Sequence, residues 1–315
     1  MVKTIPSRFS SGTFLNFPLC TDIDSIDADV AILGIPYGDP YSMDEVTNDS
    51  TNAPSAIRRE SARLSIGLEQ WDFDLGGPLL DGQNIRVVDC GDVPGDPANI
   101  RGHYQIAEAV VKTILSRNAF PVILGGDHGV PIPVFQAFDR RGPITLVQID
   151  AHIDWRDEIN GVREGYSSPI RRASELSHID RIFQIGMRGQ GSARTKEVED
   201  ALAYGAEIIT AYEVHEQGMD AILDRIPDHE GYYLTIDADG LDPSVMPAVG
   251  APAAGGLLFH HVRSLIRGLV QKGRLLGMDI VEITPKRDIN GISSLTAGQL
   301  ILNFIGATAR AGYFR

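Results

Sequence analysis

Hydrophobic and polar positions along the 315 residues fall into two alternating kinds of segment. Short runs rich in Val, Ile and Leu occur at 29–34, 85–88, 121–124, 144–149, 181–185, 207–210, 232–236 and 275–280. Between them lie stretches with helical spacing, among them 53–62, 103–116, 193–204, 212–226 and 259–271. The strand-like runs show little polar alternation, as expected of a parallel sheet covered on both faces. The pattern predicts a three-layer α/β/α sandwich with a mostly parallel sheet of about eight strands. No linker, repeat or low-complexity segment interrupts it, so residues 1–315 read as one domain. Pro54 suits the first turn of the helix at 53–62. The long apolar stretch from Leu295 to Phe314 contains Gln299, Asn303, Arg310 and three glycines. It reads as a buried helix rather than a membrane span.

With 43% apolar residues the chain can bury a full core. Its formal net charge of -14, without a Lys/Arg stripe, argues against nucleic-acid binding. The same acidity favours cationic small molecules. Cys20 and Cys90 lack CxxC spacing, so neither a disulfide framework nor a Cys-based zinc site is expected. The N-terminus lacks the apolar segment of a signal peptide, and a cytoplasmic location is expected.

Three acid- and His-rich turns follow apolar runs: Gly125-Gly126-Asp127-His128-Gly129, Asp150-Ala151-His152-Ile153-Asp154, and Asp237-Ala238-Asp239-Gly240-Leu241-Asp242-Pro243. In a parallel sheet, ligands bind beyond the carboxyl ends of the strands. Carboxylates gathered there are costly unless paired or bound to metal. Residues i and i+2 of a strand share a side. If that geometry persists into the turns, Asp150, His152 and Asp154 face one cavity with Asp237 and Asp239, and His128 is the sixth. Six side chains are too many for one ion with an open position, but they serve two ions if two carboxylates bridge. Oxygen and imidazole donors without thiolate suit Mn²⁺, with Ni²⁺ or Co²⁺ also compatible. Two such ions roughly 3.5–4 Å apart make water nucleophilic near neutral pH.

These motifs, together with Met278-Asp279-Ile280-Val281-Glu282-Ile283-Thr284-Pro285, resemble the ureohydrolases: arginase, agmatinase and their guanidino-acid relatives. The resemblance runs from Asp29 to Gly312. It implies an arginase-like fold, a binuclear centre (usually manganese) and a homo-trimer or homo-hexamer. By resemblance, His128, Asp150, Asp154 and Asp237 ligate one metal, and Asp150, His152, Asp237 and Asp239 the other. Asp150 and Asp237 then bridge, Glu282 receives the substrate guanidinium, and Asp154 carries a proton to the leaving amine. The implied products are urea, or a substituted urea, and an amine.

The chain departs from that family in the loop after Asp154. Ser167 or its neighbour stands where arginases and agmatinases usually carry a further His. A hydroxyl cannot shuttle protons in the buffer range as an imidazole does. The stretch Ala248 to Gly256 likewise lacks the family's usual threonines. The missing His weakens arginine and agmatine as substrates, and the lost threonines remove hydroxyls near the pocket; a guanidino acid or a small substituted guanidine is expected, with agmatine second. The loops 36–52 and 156–169 are expected to set specificity. Asp127 and Asp242 read as turn or supporting residues, Arg163 as a solvated charge before a contact for a substrate carboxylate, and Trp155 as pocket wall or packing. His103, His178, His215, His229, His260 and His261 read as surface or core residues. Gly125 and Gly126 read as sites of close backbone approach behind His128. Two other classes stay open: a deacetylase-like metal amidase, and a subunit of a heteromeric ureohydrolase that needs a partner chain.

Overall fold

The computed structural model describes residues 3–7, 12–42, 48–96 and 99–314. Positions 43–47, inside one of the expected specificity loops, lie outside the described residues. The apolar runs form β1 (Val30–Ile35), β2 (Val87–Asp92), β3 (Phe120–Gly125), β4 (Ile144–Ile149), β5 (Ile179–Met187), β6 (Glu207–Thr210), β7 (His229–Asp237) and β8 (Gly273–Val281). They make one eight-stranded sheet in the order β2-β1-β3-β8-β7-β4-β5-β6. Every pairing among them is parallel.

Successive strand residues feed opposite cores, which explains why the runs do not alternate in polarity. Val30 and Ile32 point into one core with α1 (Ala53–Ser61), α8 (Phe259–Lys272) and α9 (Ile292–Arg310). Ala31, Leu33 and Ile35 point into the other with α2 (Ile100–Ser116), α3 (Pro131–Ala137), α4 (Pro169–Ala173) and α5 (Thr195–Tyr204). The result is the α/β/α sandwich read from the sequence. The segment from Ile289 to Arg310 is long and apolar enough to cross a membrane, yet 83% of its most apolar window is buried inside the molecule. It is the core helix α9.

The structure departs from the pattern in a few places. The helix expected over 212–226 is two, α6 (Ala211–Gln217) and α7 (Met219–Arg225), broken at Gly218, whose φ of 80° no helix accepts. Helices α3 and α4 are too short for periodicity to mark, and each begins with a proline in its first turn. Strand β2 starts two residues later than expected and extends to Asp92. The extension carries charge into the core. Buried Arg58 of α1 donates from Nε and Nη2 to Asp89 (2.8 and 2.9 Å) and from Nη1 to Asp92 (2.5 Å). This fork clamps α1 onto β2.

Candidate metal centre

Strands β3, β8, β7 and β4 stand side by side in the middle of the sheet, and each ends in one of the polar motifs. Fold order alone therefore gathers residues more than 150 positions apart: the His128 N–H donates to Glu282 Oε1 at 2.8 Å across a separation of 154.

The alternation that would put residues i and i+2 on one side does not continue past the strands. β4 stops at Ile149 and β7 at Asp237. Instead, the leading aspartate of each motif folds back on the N–H two residues ahead. Asp127 accepts from Gly129 (3.0 Å), Asp150 from His152 (2.7 Å) and Asp237 from Asp239 (2.8 Å). Short carboxylate side chains make this turn where a ladder runs out. At Asp150 and Asp237 it spends one oxygen on the backbone and leaves the second facing the cluster. Close approach needs glycine: a Cβ on Gly126 would sit 2.2 Å from the Pro36 carbonyl oxygen, and one on Gly240 would sit 2.6 Å from the Asp150 nitrogen. Asp154 (φ 47°) and Glu282 (φ 65°) occupy the left-handed region that side chains avoid. Such conformations cost about 1–3 kcal/mol each and cluster at functional sites.

His128 Nδ1 lies 3.0 Å from Asp150 Oδ2, 2.8 Å from Asp154 Oδ2 and 3.2 Å from Asp237 Oδ2. His152 Nδ1 lies 3.2 Å from Asp239 Oδ2 and 3.5 Å from Asp150 Oδ1. Two ligand-capable groups result, His128–Asp150–Asp154 and Asp150–His152–Asp239, each with its donor atoms within 4.8 Å of one another. They share Asp150. The buried Nδ1 of His128 makes no hydrogen bond although three carboxylates surround it. A ring nitrogen facing three anions, with donors that are all oxygen or imidazole nitrogen, fits divalent cations.

The electrostatics say the same. Burial, then Asp239 and Asp150, pushes Asp237 well above the carboxylate range. Burial and Asp150 lift Asp154 to about 6. Hydrogen bonding to Asp150 and Asp239 raises His152 to about 11. Asp150 is the exception, held below the ordinary carboxylate range by His128 and His152 despite its burial; Asp237 and Asp154, which resist ionising, and the imidazoles that hold protons mark more buried acids than the two imidazoles balance. Glu282, lifted to about 8 by burial and by Asp127, belongs to the same field.

A cavity of about 650 Å³ opens over this cluster. Asp154, His152, Asp237, Asp239 and Glu282 line it, as do Ser167, Tyr166, Asn48, Asp49, Lys286 and Arg287. Ser167 is fixed by Tyr41, whose hydroxyl lies 3.0 Å from its Oγ and accepts its N–H at 3.0 Å. Asp127 also reaches the cavity, while Asp242 is spent on the N–H groups of Ser244, Gly255 and Gly256. Trp155 packs on Tyr204 at 5.6 Å. Arg163 pairs with Asp157 and Glu175 and, with Glu164, lines a separate crevice.

Several supporting residues escape a reading of motifs. Thr235 Oγ1 donates to Asp279 (2.7 Å) and lies 3.2 Å from His128 Nε2, which turns Nδ1 toward the carboxylates. Gln148 Nε2 donates to Asp150 Oδ2 at 2.6 Å, and Gln184 donates to Gln148. Each interrupts an otherwise apolar strand, and Gln148 and Thr235 stand two residues before a bridging candidate; that spacing was the available signal. Arg188 donates to the carbonyls of Gly186, Asp239, Gly240, Leu241, Ala253 and Ala254, tying the loop after β7 to the 250–256 stretch.

The chain is similar over nearly its whole length to proteins of one chemistry. It is 30% identical over 290 residues to a guanidinobutyrase of Pseudomonas aeruginosa, covering 90% of this chain and 87% of that protein. It is 31% identical over 303 residues to an agmatinase of Photorhabdus laumondii, covering 93% and 91%. The solved structure of proclavaminate amidinohydrolase from Streptomyces clavuligerus superposes with a TM-score of 0.82 at 28% identity, covering 98% of this chain and 99% of that one. The sequence model of the arginase family matches residues 28–306. This chain therefore belongs to the arginase family and is a metal-dependent amidinohydrolase, acting on non-peptide C–N bonds of linear amidines.

Proposed function

We propose that this chain hydrolyses the C–N bond of a small guanidino compound other than arginine, releasing urea or a substituted urea together with an amine. The observation that carries the proposal is the pair of ligand groups sharing Asp150 on the floor of a cavity that Glu282 also lines. His128, Asp150, Asp154 and Asp237 hold one divalent ion; Asp150, His152, Asp237 and Asp239 hold the other. Mn²⁺ is the proposed occupant, with Ni²⁺ and Co²⁺ as competitors for the same donors. When bound, the ions supply a water made nucleophilic near neutral pH.

The protein's own groups do the rest. Glu282 accepts hydrogen bonds from the planar guanidinium fork and orients its carbon toward the floor. Holding the cation there offsets the anionic field of Asp127 and Glu282. Asp154 passes a proton to the leaving amine, and the Ser167 hydroxyl contacts the substrate from the cavity wall. Residues 1–315 work together as one domain, in the cytoplasm, as a homo-trimer or homo-hexamer.

The test is urea release from a panel of guanidino compounds after loading with Mn²⁺, Ni²⁺ or Co²⁺ in turn. Turnover of at least one compound, with about two ions per chain by elemental analysis, is the expected result. Inertness toward every compound with every metal would overturn the proposal. Arginine leading the panel by a wide margin would overturn the substrate assignment.

A further inference from the structure

We propose that Lys286 and Arg287 form an anion-binding subsite at the outer wall of the cavity, which makes the substrate a guanidino acid. This deepens the hydrolase reading above and rests on it.

The cavity is electrically polarised. Its floor carries Asp127, Asp154, Asp237, Asp239 and Glu282 beside the single imidazole of His152, whereas its lysine and arginine, Lys286 and Arg287, sit together on one segment. In a chain of net charge -14, two adjacent cations on the wall of an acidic cavity are a local reversal. A guanidino acid, cationic at one end and anionic at the other, matches that polarity. An ammonium tail such as agmatine's would meet like charge.

The geometry links the two ends. β8 delivers Glu282, and the chain then turns at Pro285–Arg287. Lys286 stands four positions after Glu282, a span of at most roughly 14 Å when extended. The turn shortens it, which suits a tail of a few methylene groups.

Neither cation is consumed by structure. Arg287 Nη1 donates to the carbonyls of Val249 (2.9 Å) and Gly250 (3.1 Å), which fixes the guanidinium against the wall. Its Nε and Nη2 have no hydrogen-bond partner among the described residues. The Lys286 side chain is 81% exposed, and its ammonium is 3.9 Å from Asp49 Oδ1, a loose surface pair of little energetic weight. Asp49 is the rim's opposing charge. Its oxygens are occupied by Asn52 Nδ2 (3.0 Å) and the Lys286 N–H (2.5 Å). Asp288 is turned away, accepting from the N–H groups of Ser293 and Ser294 at the start of α9. With Asp49 counted against Lys286 and Arg287, the rim of described residues carries one net positive charge.

The experiment compares kcat/KM for 4-guanidinobutanoate, agmatine and butylguanidine, whose tails are anionic, cationic and neutral. It uses the metal-loaded wild type, Lys286→Ala, Arg287→Gln and the double variant. The wild type is expected to prefer the acid. The acid-to-butylguanidine ratio is expected to fall at least about tenfold in the double variant, chiefly through KM, as for loss of a charged hydrogen bond. Lys286→Glu is expected to shift preference toward agmatine. Thermal melts confirm that each variant is folded, and the exposed Lys286→Ala carries the test if the double variant is not. Agmatine equal to or ahead of the acid in the wild type would overturn the subsite, as would an unchanged ratio in Lys286→Ala and the double variant. Cleavage of butylguanidine or agmatine without acid preference removes the subsite alone. No product from any of the three, with the wider guanidino panel inert as well, removes the hydrolase reading too.

Discussion

At the scale of single residues, the decisive property is which side chain serves two neighbours at once. Asp150 belongs to both ligand groups, whereas His128 belongs to one. Asp150→Ala is therefore expected to abolish binding of both ions, while His128→Ala mainly weakens one; metal content after dialysis measures both. Two ions retained by Asp150→Ala at wild-type affinity would refute the bridging role. Glu282 accepts the His128 N–H and lines the cavity above the cluster. Glu282→Gln keeps that acceptor oxygen and the side-chain size but removes the charge. Activity is expected to drop about 10²–10³-fold, the scale for losing one charged contact in the transition state, with metal content unchanged. Near-normal turnover by Glu282→Gln would remove it from the guanidinium role.

At the scale of elements, the strands were legible because burial on both faces writes continuous apolar runs, and the motifs stood out as polar residues at their ends. Four things were not legible, each for a physical reason. Helices α3 and α4 are shorter than two turns, and α6 and α7 share one amphipathic pattern broken by a single glycine. Thr235 and Gln148 look like flaws in strands until His128 and Asp150 are seen against them. The cavity rim joins Asn48 and Asp49 to Lys286 and Arg287 across more than 230 positions, which no local pattern encodes. Element packing also yields two expectations. Arg58, fully buried between Asp89 and Asp92, holds α1 to β2. Arg58→Ala leaves two buried carboxylates without their cation, although Asp89 keeps the N–H groups of Phe14 and Gly91, and is expected to cost about 3–5 kcal/mol in denaturant unfolding. At the start of α8, His261 Nδ1 accepts the Leu258 N–H while His260 and His215 pack on its ring. Burial, then the two neighbouring imidazoles, lowers His261 to about 4. The folded state thus binds fewer protons than the unfolded one between that value and the ordinary pKa of about 6.5. Its contribution is complete above the upper value and declines as pH falls toward the lower one. Melting temperature is expected to drop over that window, and His261→Gln to flatten the drop; an unaltered slope in the variant would exclude His261 as its source.

At the scale of the whole molecule, the four central strands converge on a cluster whose charges repel one another without a cation, so the fold and the metal are energetically linked. Ions that bind the folded chain and not the unfolded one stabilise it by about 2.7 kcal/mol at a hundred times their dissociation constant. For a chain of this size that corresponds to a rise of several degrees in melting temperature. Loading with Mn²⁺ is expected to produce that rise, a chelator to reverse it, and Asp150→Ala to be insensitive to both. The metal-free protein is expected to show the opposing cost directly. Asp237 is raised far above its unfolded value by burial and by Asp239 and Asp150, so the metal-free folded state binds a proton that the unfolded state has released. Its stability accordingly falls as pH climbs from the ordinary Asp pKa of about 3.9 toward the raised one. Asp237→Asn removes that ionisation while keeping the side chain's shape. With metal stripped by chelation at neutral pH, the variant is expected to melt above the equally treated wild type; with metal supplied, it is expected to melt below. Equal melting temperatures in both conditions would mean that the carboxylates at the ends of β4 and β7 are not held together at a cost that the metal relieves.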